Sequence, residues 1–209
     1  DQFNNLVPSV AVSVTTTTQL NGTTTVNSNG SGVAIFNGLY ITLTGTYALT
    51  ATASTLYAPP STLFNITPAA ANNLTFTAQP SGTVAGATTI SAQVTVRDQY
   101  GNLVSGIPVS ITTTTQLNGT TTTNTNSSGV AIFNGLNITT TGTYQLSARA
   151  GVVGPVSSNN LDITPAPANN LVFVAQPQTI TAGNNWAPVT VRVRDVYANP
   201  VSGISVSVT

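Results

Sequence analysis

The residues best equipped for chemistry are few. The chain carries four Asp and four Arg, and no Glu, Lys, His, Cys or Met. Catalysis by general acid, base or covalent nucleophile therefore lacks nearly all its usual side chains, and no enzyme is expected. A zinc site of His or Cys ligands is excluded, as is any disulfide. The one constellation with a recognisable spacing is VRDQYGN from Val96, which sets the carboxylate of Asp98 four residues before the carboxamide of Asn102 with a glycine between. Such a turn supplies oxygens for calcium, or it bonds its own backbone. Calcium takes about six to eight oxygens, usually from several carboxylates. No second carboxylate lies nearby, so the turn is favoured, and neither metal nor other cofactor is expected.

Three further sets of residues invite chemistry. Arg149 and Asp162 stand where Thr52 and Asn65 stand 97 residues earlier, so both charges vanish together. Both fall on outward positions of strands that the alternation pattern makes neighbours, which suggests a cross-strand ion pair; drift between repeats is the alternative. Asn21, Asn29, Asn65, Asn73, Asn118, Asn126 and Asn137 each begin an Asn-x-Ser/Thr sequon. With 22 Asn, 39 Thr and 18 Ser among 209 residues, about six sequons arise by chance, so the count alone is no sign of a glycosylation programme. The TTTT runs suit O-glycans or, more simply, solvent-facing strand positions. Trp186 replaces Thr89 of the complete repeat, so the fold does not require it. It reads as an interface or edge-packing residue rather than a sugar platform.

The frame for these residues is an internal repeat. NNLTFTAQP begins at Asn72 and NNLVFVAQP at Asn169; TTTTQLNGTTT begins at Thr15 and again at Thr112; SGVAIFNGL begins at Ser31 and again at Ser128. Every offset is 97 residues, without insertion. The expected organisation is residues 1–68 as the back part of one unit, 69–165 as a complete unit, and 166–209 as the front part of a third. Asp1 corresponds to Asp98 and Thr209 to Thr112. With no initiator Met and no signal peptide, the chain reads as an internal piece of a longer or processed protein. The alternative to a cut tandem array is head-to-tail completion, in which the front part of one chain joins the back part of the next as an open fibre.

Period-two alternation sets the strands. Leu74, Phe76 and Ala78 alternate with polar residues, as do Ile90, Ala92, Val94 and Val96. The same holds for Ile107, Val109 and Ile111, for Tyr144, Leu146 and Ala148, and for Leu161 and Ile163. The VAIF segment at Val130 is apolar on both faces, which suits a central strand or an interface. About seven antiparallel strands in some 100 residues predict an all-β sandwich. Apolar residues are 40% of the chain, enough for a core. No apolar run reaches the ~18 residues of a membrane span. Four cations balanced by four anions give no footprint for nucleic acid or acidic lipid.

VTVRDQYGNLVSGIPVSIT, NTNSSGVAIFNGL and TGTYQLSA together resemble the bacterial immunoglobulin-like repeats of invasin/intimin-type surface proteins. The resemblance covers the complete repeat and, through the 97-residue offset, the chain. It implies tandem immunoglobulin-like β-sandwich domains on an extracellular or cell-surface stalk, adhesin or filament. It also implies that Tyr144 occupies a tyrosine-corner position two residues before Leu146, which stands where antibody domains carry their second Cys. The intramolecular isopeptide crosslinks of some related pilus domains need Lys, which is absent. Prolines at 68, 165 and 167 stiffen the short ITPAAANN and ITPAPANN linkers. The expected product is a rather rigid string of domains, each roughly 35–45 Å long. Its expected partners are its own neighbouring repeats or fibre subunits. The alternative is an adhesin or carbohydrate-binding module recognising surface glycans through variable loops, chiefly Ser54–Phe64 and its divergent counterpart Gly151–Leu161.

Overall fold

The computed structural model describes residue 3 and residues 5–207. Asp1 and Thr209, which mark the repeat phase, lie outside the described residues. Every regular element is a β-strand, and no helix occurs among the described residues. The chain divides into two compact units, Asp1–Ala70 with Asp98–Asn102, and Ala71–Arg97 with Leu103–Thr209.

The first unit contains β1 (Ala11–Thr15), β2 (Thr25–Asn27), β3 (Gly45–Tyr47), β4 (Thr50–Ala53), β5 (Leu56–Tyr57) and β6 (Phe64–Ile66). These form a sheet of order β2-β1-β4-β5 and an antiparallel pair β3-β6. Val14 and Tyr47 are its buried apolar residues, while Val33, Ile35 and Leu63 are exposed.

The second unit contains a complete sandwich. Its strands are β7 (Ala71–Ala78), β8 (Thr83–Val84), β9 (Ile90–Asp98), β10 (Pro108–Thr112), β11 (Thr122–Asn124), β12 (Val130–Leu136), β13 (Gly142–Tyr144), β14 (Ser147–Ala150), β15 (Val153–Ser157) and β16 (Leu161–Thr164). They form sheets of order β12-β9-β7, β11-β10-β14-β15 and β13-β16-β8. Alternation works as the sequence requires. Ile90, Ala92, Val94 and Val96 of β9 meet Val109 and Ile111 of β10, Ala131 and Phe133 of β12, and Leu161 and Ile163 of β16 in one buried cluster. Strand positions recur at the 97-residue offset, β1 with β10, β2 with β11 and β3 with β13, and so do registers: Ala11 pairs Asn27 as Pro108 pairs Asn124.

Two expectations differ from what is found. The run Tyr144–Leu146–Ala148 is not one strand. It leaves β16 after Tyr144 and joins β10 from Ser147, so Leu146 sits at a crossing between sheets, fully buried. Of the two readings of VAIF, the central strand is the one contradicted: the segment lies at a sheet edge, and Ile132 is 45% exposed. Only one face of β12 meets the core. Beyond the sandwich, β17 (Asn170–Ala175) and β18 (Thr190–Arg194) form an antiparallel pair.

Candidate functional site

The most highly organised polar site is a turn at the end of β18. Alternating Thr, Val and Arg carry that strand to Asp195, where the chain reverses: Asp195 N donates to the Asn199 carbonyl at 3.0 Å and Ala198 N to the Asp195 carbonyl at 3.1 Å. The Asp195 side chain is only 1% exposed. Its Oδ1 accepts from Tyr197 N at 2.9 Å and Asn199 N at 2.8 Å. Its Oδ2 accepts from Ala166 N at 3.0 Å and Asn199 Nδ2 at 2.8 Å. The carboxylate thus ties its own turn to the linker that follows β16. Asn199 completes the connection. Its Nδ2 also donates to the Thr139 carbonyl at 2.8 Å, and its Oδ1 accepts from Thr141 N at 3.1 Å. Two side chains of the turn after β18 therefore hold the linker after β16 and the loop between β12 and β13. We refer to this arrangement as the lock.

All four donors to Asp195 are neutral. Burial raises the carboxyl pKa, but the hydrogen bonds from Asn199 Nδ2, Asn199 N, Ala166 N and Tyr197 N together outweigh it and hold the group below its ordinary value. Each carboxylate oxygen already accepts two hydrogen bonds, so a calcium ion would have to displace donors that nothing else would satisfy. The residues do not fit a metal site, and no cluster of three His, Cys, Asp or Glu occurs among the described residues.

Packing adds to the polar connection. Tyr197 lies over Gly86, where an added Cβ would overlap the phenol, and Gly86 N is held by the Ile138 carbonyl at 2.9 Å. Gly86 has φ +79°, so the backbone conformation and the approach of the ring both require glycine there. Ala198 holds φ 68° where the earlier repeat has Gly101.

The same network occurs in the first unit with every residue 97 positions earlier. Asp98 accepts from Tyr100 N, Asn102 N, Ala69 N and Asn102 Nδ2 at 2.8–3.0 Å. Asn102 Nδ2 donates to the Thr42 carbonyl at 2.7 Å, and Thr44 N donates to Asn102 Oδ1 at 3.1 Å. Burial raises the Asp98 pKa, and its hydrogen bonds again bring it below the ordinary value.

Tyr144 donates its hydroxyl to the Thr141 carbonyl at 3.2 Å, three residues upstream, so it braces the loop whose Thr141 N meets Asn199. Tyr47 makes the equivalent bond to Thr44. Arg149 and Asp162 are not on neighbouring strands. Arg149 lies on β14, paired with β10 and β15, whereas Asp162 lies on β16, in a different sheet. The cross-strand pair has no register to form in. Asp162 instead accepts from Thr143 Oγ1, as Asn65 accepts from Thr46 Oγ1, both at 2.6 Å. An amide oxygen and a carboxylate oxygen serve equally there, so the charge is free to come and go.

The sequon asparagines divide by use. Oδ1 of Asn29 accepts from Ser31 N and Val33 N, and Oδ1 of Asn126 from Ser128 N and Val130 N, closing equivalent turns. Nδ2 of Asn21 donates to the Tyr40 carbonyl and Nδ2 of Asn118 to Asn137 Oδ1. Asn73 is exposed on β7, and Trp186 is exposed in the connection between β17 and β18.

Two pins escaped sequence reasoning. Ser158 Oγ accepts from Leu146 N at 2.9 Å where the chain changes sheets, and Ser61 does the same for Leu49 N. Thr125 Oγ1 bonds the Val104 carbonyl and Ile107 N, and Ser28 the Val7 carbonyl and Val10 N. A signal existed for the first: Ser61 and Ser158 are the one identity in the otherwise divergent Ser54–Phe64 and Gly151–Leu161.

A shallow cleft of about 590 Å³ beside Tyr144 is lined by neutral polar groups including Thr112, Thr114, Gln145, Ser157 and Asn160. In the first unit the equivalent cleft, about 450 Å³, has Ala48, Pro60 and Leu63 at three of these positions.

No family model matches the sequence, and no curated protein does. Solved structures do. The Escherichia coli adhesin FdeC matches at 15% identity and TM-score 0.51, over 97% of this chain and 68% of that one. Invasin, a bacterial integrin-binding protein, matches at 18% identity and TM-score 0.47, over 98% of this chain and 43% of its own. The D0–D1 domains of intimin match at 23% identity and TM-score 0.34, over 78% of this chain and 85% of that one. The FdeC match carries the structural argument. The chain is all-β with the immunoglobulin-like sandwich fold found in bacterial adhesin domains.

Proposed function

We propose that this chain is a structural segment of an extracellular or cell-surface repeat protein, a stalk or filament with no catalytic role. Residues 69–165 form its complete immunoglobulin-like repeat, flanked by the back part of another in 1–68 and the front part of a third in 166–209. The observation that carries this reading is the buried Asp195 carboxylate, which fixes a following repeat to the linker and loop of the one before it. A turn closed by three hydrogen bonds, tied to the linker and loop by three more and by a tyrosine packed on glycine, transmits direction along the chain, as a stalk must. The half-exposed residues of β17 also fit. Leu171 is 57% exposed, yet its counterpart Leu74 is 3% exposed under the strands that complete the sandwich. In an array those strands come from the same chain or, head to tail, from another copy. Nuclear magnetic resonance relaxation tests the joint: amides of β9 and of β18 will report one common tumbling time, and separate times would refute a fixed joint.

The polar cleft beside Tyr144 favours a second reading, an adhesin module binding surface glycans. Its hydroxyl and amide lining suits a neutral sugar, and its divergent residues Ser157 and Asn160 come from the variable segment. Titration with neutral oligosaccharides, followed at the Gln145 and Asn160 side-chain amides, would show saturable shifts; none at millimolar sugar would dismiss it.

A further inference from the structure

The lock holds its carboxylate with donors alone. Each Asp195 oxygen accepts two N–H groups, and none of the four partners can accept a hydrogen bond. A proton added to either oxygen faces only N–H groups, and that oxygen loses an acceptor position. Protonation at Oδ2 breaks the bonds to Ala166 N or Asn199 Nδ2, which are the bonds that join the turn to the linker and orient Asn199 toward Thr139 and Thr141. Protonation at Oδ1 breaks the turn that presents Asn199. Neither position leaves the joint intact.

We propose that the Asp195–Asn199 turn is an acid-released latch: one proton on the carboxyl group detaches the turn from Ala166 and from the Thr139–Thr141 loop, and the fixed joint becomes a hinge. This rests on the reading of the turn as the joint of a stalk. The surroundings make the carboxylate the titrating group. Its own turn contributes Tyr197, its strand contributes Arg192 and Arg194, and the loop against it contributes nothing titratable before Tyr144; the linker 165–168 has none, and neither does the turn at Gly86. Asp195 is the one carboxylic acid among these groups. The other acidic side chain near the linker is Asp162, which accepts from Thr143. Because the hydrogen bonds hold Asp195 below the ordinary 3.8, the latch stays closed at neutral and mildly acidic pH. It opens only as pH falls through that lowered value. Asp98 holds Ala69, Thr42 and Thr44 by the same bonds and behaves alike.

The test is a pH titration of the whole chain followed at backbone amides from pH 7 to pH 2. The expected result is that Ala166 and Thr141 shift together in one transition centred below pH 3.8, while Ala92 and Val94 in β9 do not move. Thr141 is the decisive probe, since it bonds Asn199 rather than the carboxylate. Asp195→Asn will show the released positions already at pH 7 and no transition, and Asp162→Asn will leave the transition unchanged. Movement of Ala166 without Thr141 overturns the latch, because the carboxyl then titrates with the joint closed. Movement of Ala92 and Val94, in the middle of β9 and away from Asp98, in the same step overturns it as well, because the sandwich then unfolds rather than the joint. Independent tumbling of β9 and β18 at pH 7 would refute the stalk reading itself; common tumbling at both pH 7 and pH 2 would refute the latch alone.

Discussion

Asp195 fills every acceptor position of its carboxylate, so no neighbouring residue type replaces it. Asn would bring an N–H group where Ala166 or Tyr197 already donates, and Asp195→Asn is expected to weaken the joint by about 2–3 kcal/mol, the scale of lost hydrogen bonds to a charged group. Asn199→Ala removes both ties to the Thr139–Thr141 loop and is expected to cost about 2 kcal/mol. Amide hydrogen exchange at Ala166 and Thr141 reads both. Ala198→Gly works in the other direction: its φ of 68° is strained for alanine, and glycine there should gain roughly 1 kcal/mol, seen as slower exchange at Asn199 N. The sequence makes Asp98 and Asn102 conspicuous by type and spacing, and in the structure both side chains bond their own turn. It does not show what the turn grips. Ala166, Thr139 and Thr141 take part through backbone N–H and C=O groups, which every residue except proline offers in full. The ion pair read into Arg149 and Asp162 failed for a related reason. Covariation of two charges looks like partnership, yet each position answers to its own sheet.

At the scale of elements, alternation was legible wherever one strand keeps one sheet. Strands β9, β10 and β16 follow it because each stays in one sheet along its length. It misled at Leu146, where Tyr144 and Ala148 share a periodicity but belong to different sheets. The crossing needs Ser158 to satisfy Leu146 N, and a lone serine in a variable segment carries little weight by itself. Ser158→Ala leaves that buried N–H without its partner and is expected to lower the stability of the complete repeat by about 1–3 kcal/mol in chemical denaturation. The VAIF segment misled differently: at an edge, Ile132 has one face in solvent, and an apolar side chain there says nothing of centrality. Gly86 belongs to this scale as well. Gly86→Ala is expected to push Tyr197 off the turn, visible as changed tyrosine ring resonances.

For the whole molecule, the neutral composition acquires a structural meaning. With 4% charged residues, a chain has few ions with which to hold repeats in line. The proposed joint uses a single buried carboxylate, one carboxamide and backbone groups instead. Its hold is therefore expected to be the same in chelator as in millimolar calcium, and nearly the same in low and high salt, because buried hydrogen bonds are screened little. The 97-residue offset was fully legible in sequence, and with it the sandwich. The joint was not, since it depends on how one repeat meets the next. The chain has no cysteine, so two exposed serines, Ser91 on β9 and Ser202 beyond the lock, can be changed to cysteine and spin-labelled without competing sites. Electron–electron resonance distances between them will give one narrow distribution at pH 7 that broadens in Asp195→Asn. A broad distribution in the unaltered chain, or an equally narrow one in Asp195→Asn, would contradict the claim that this aspartate fixes the joint.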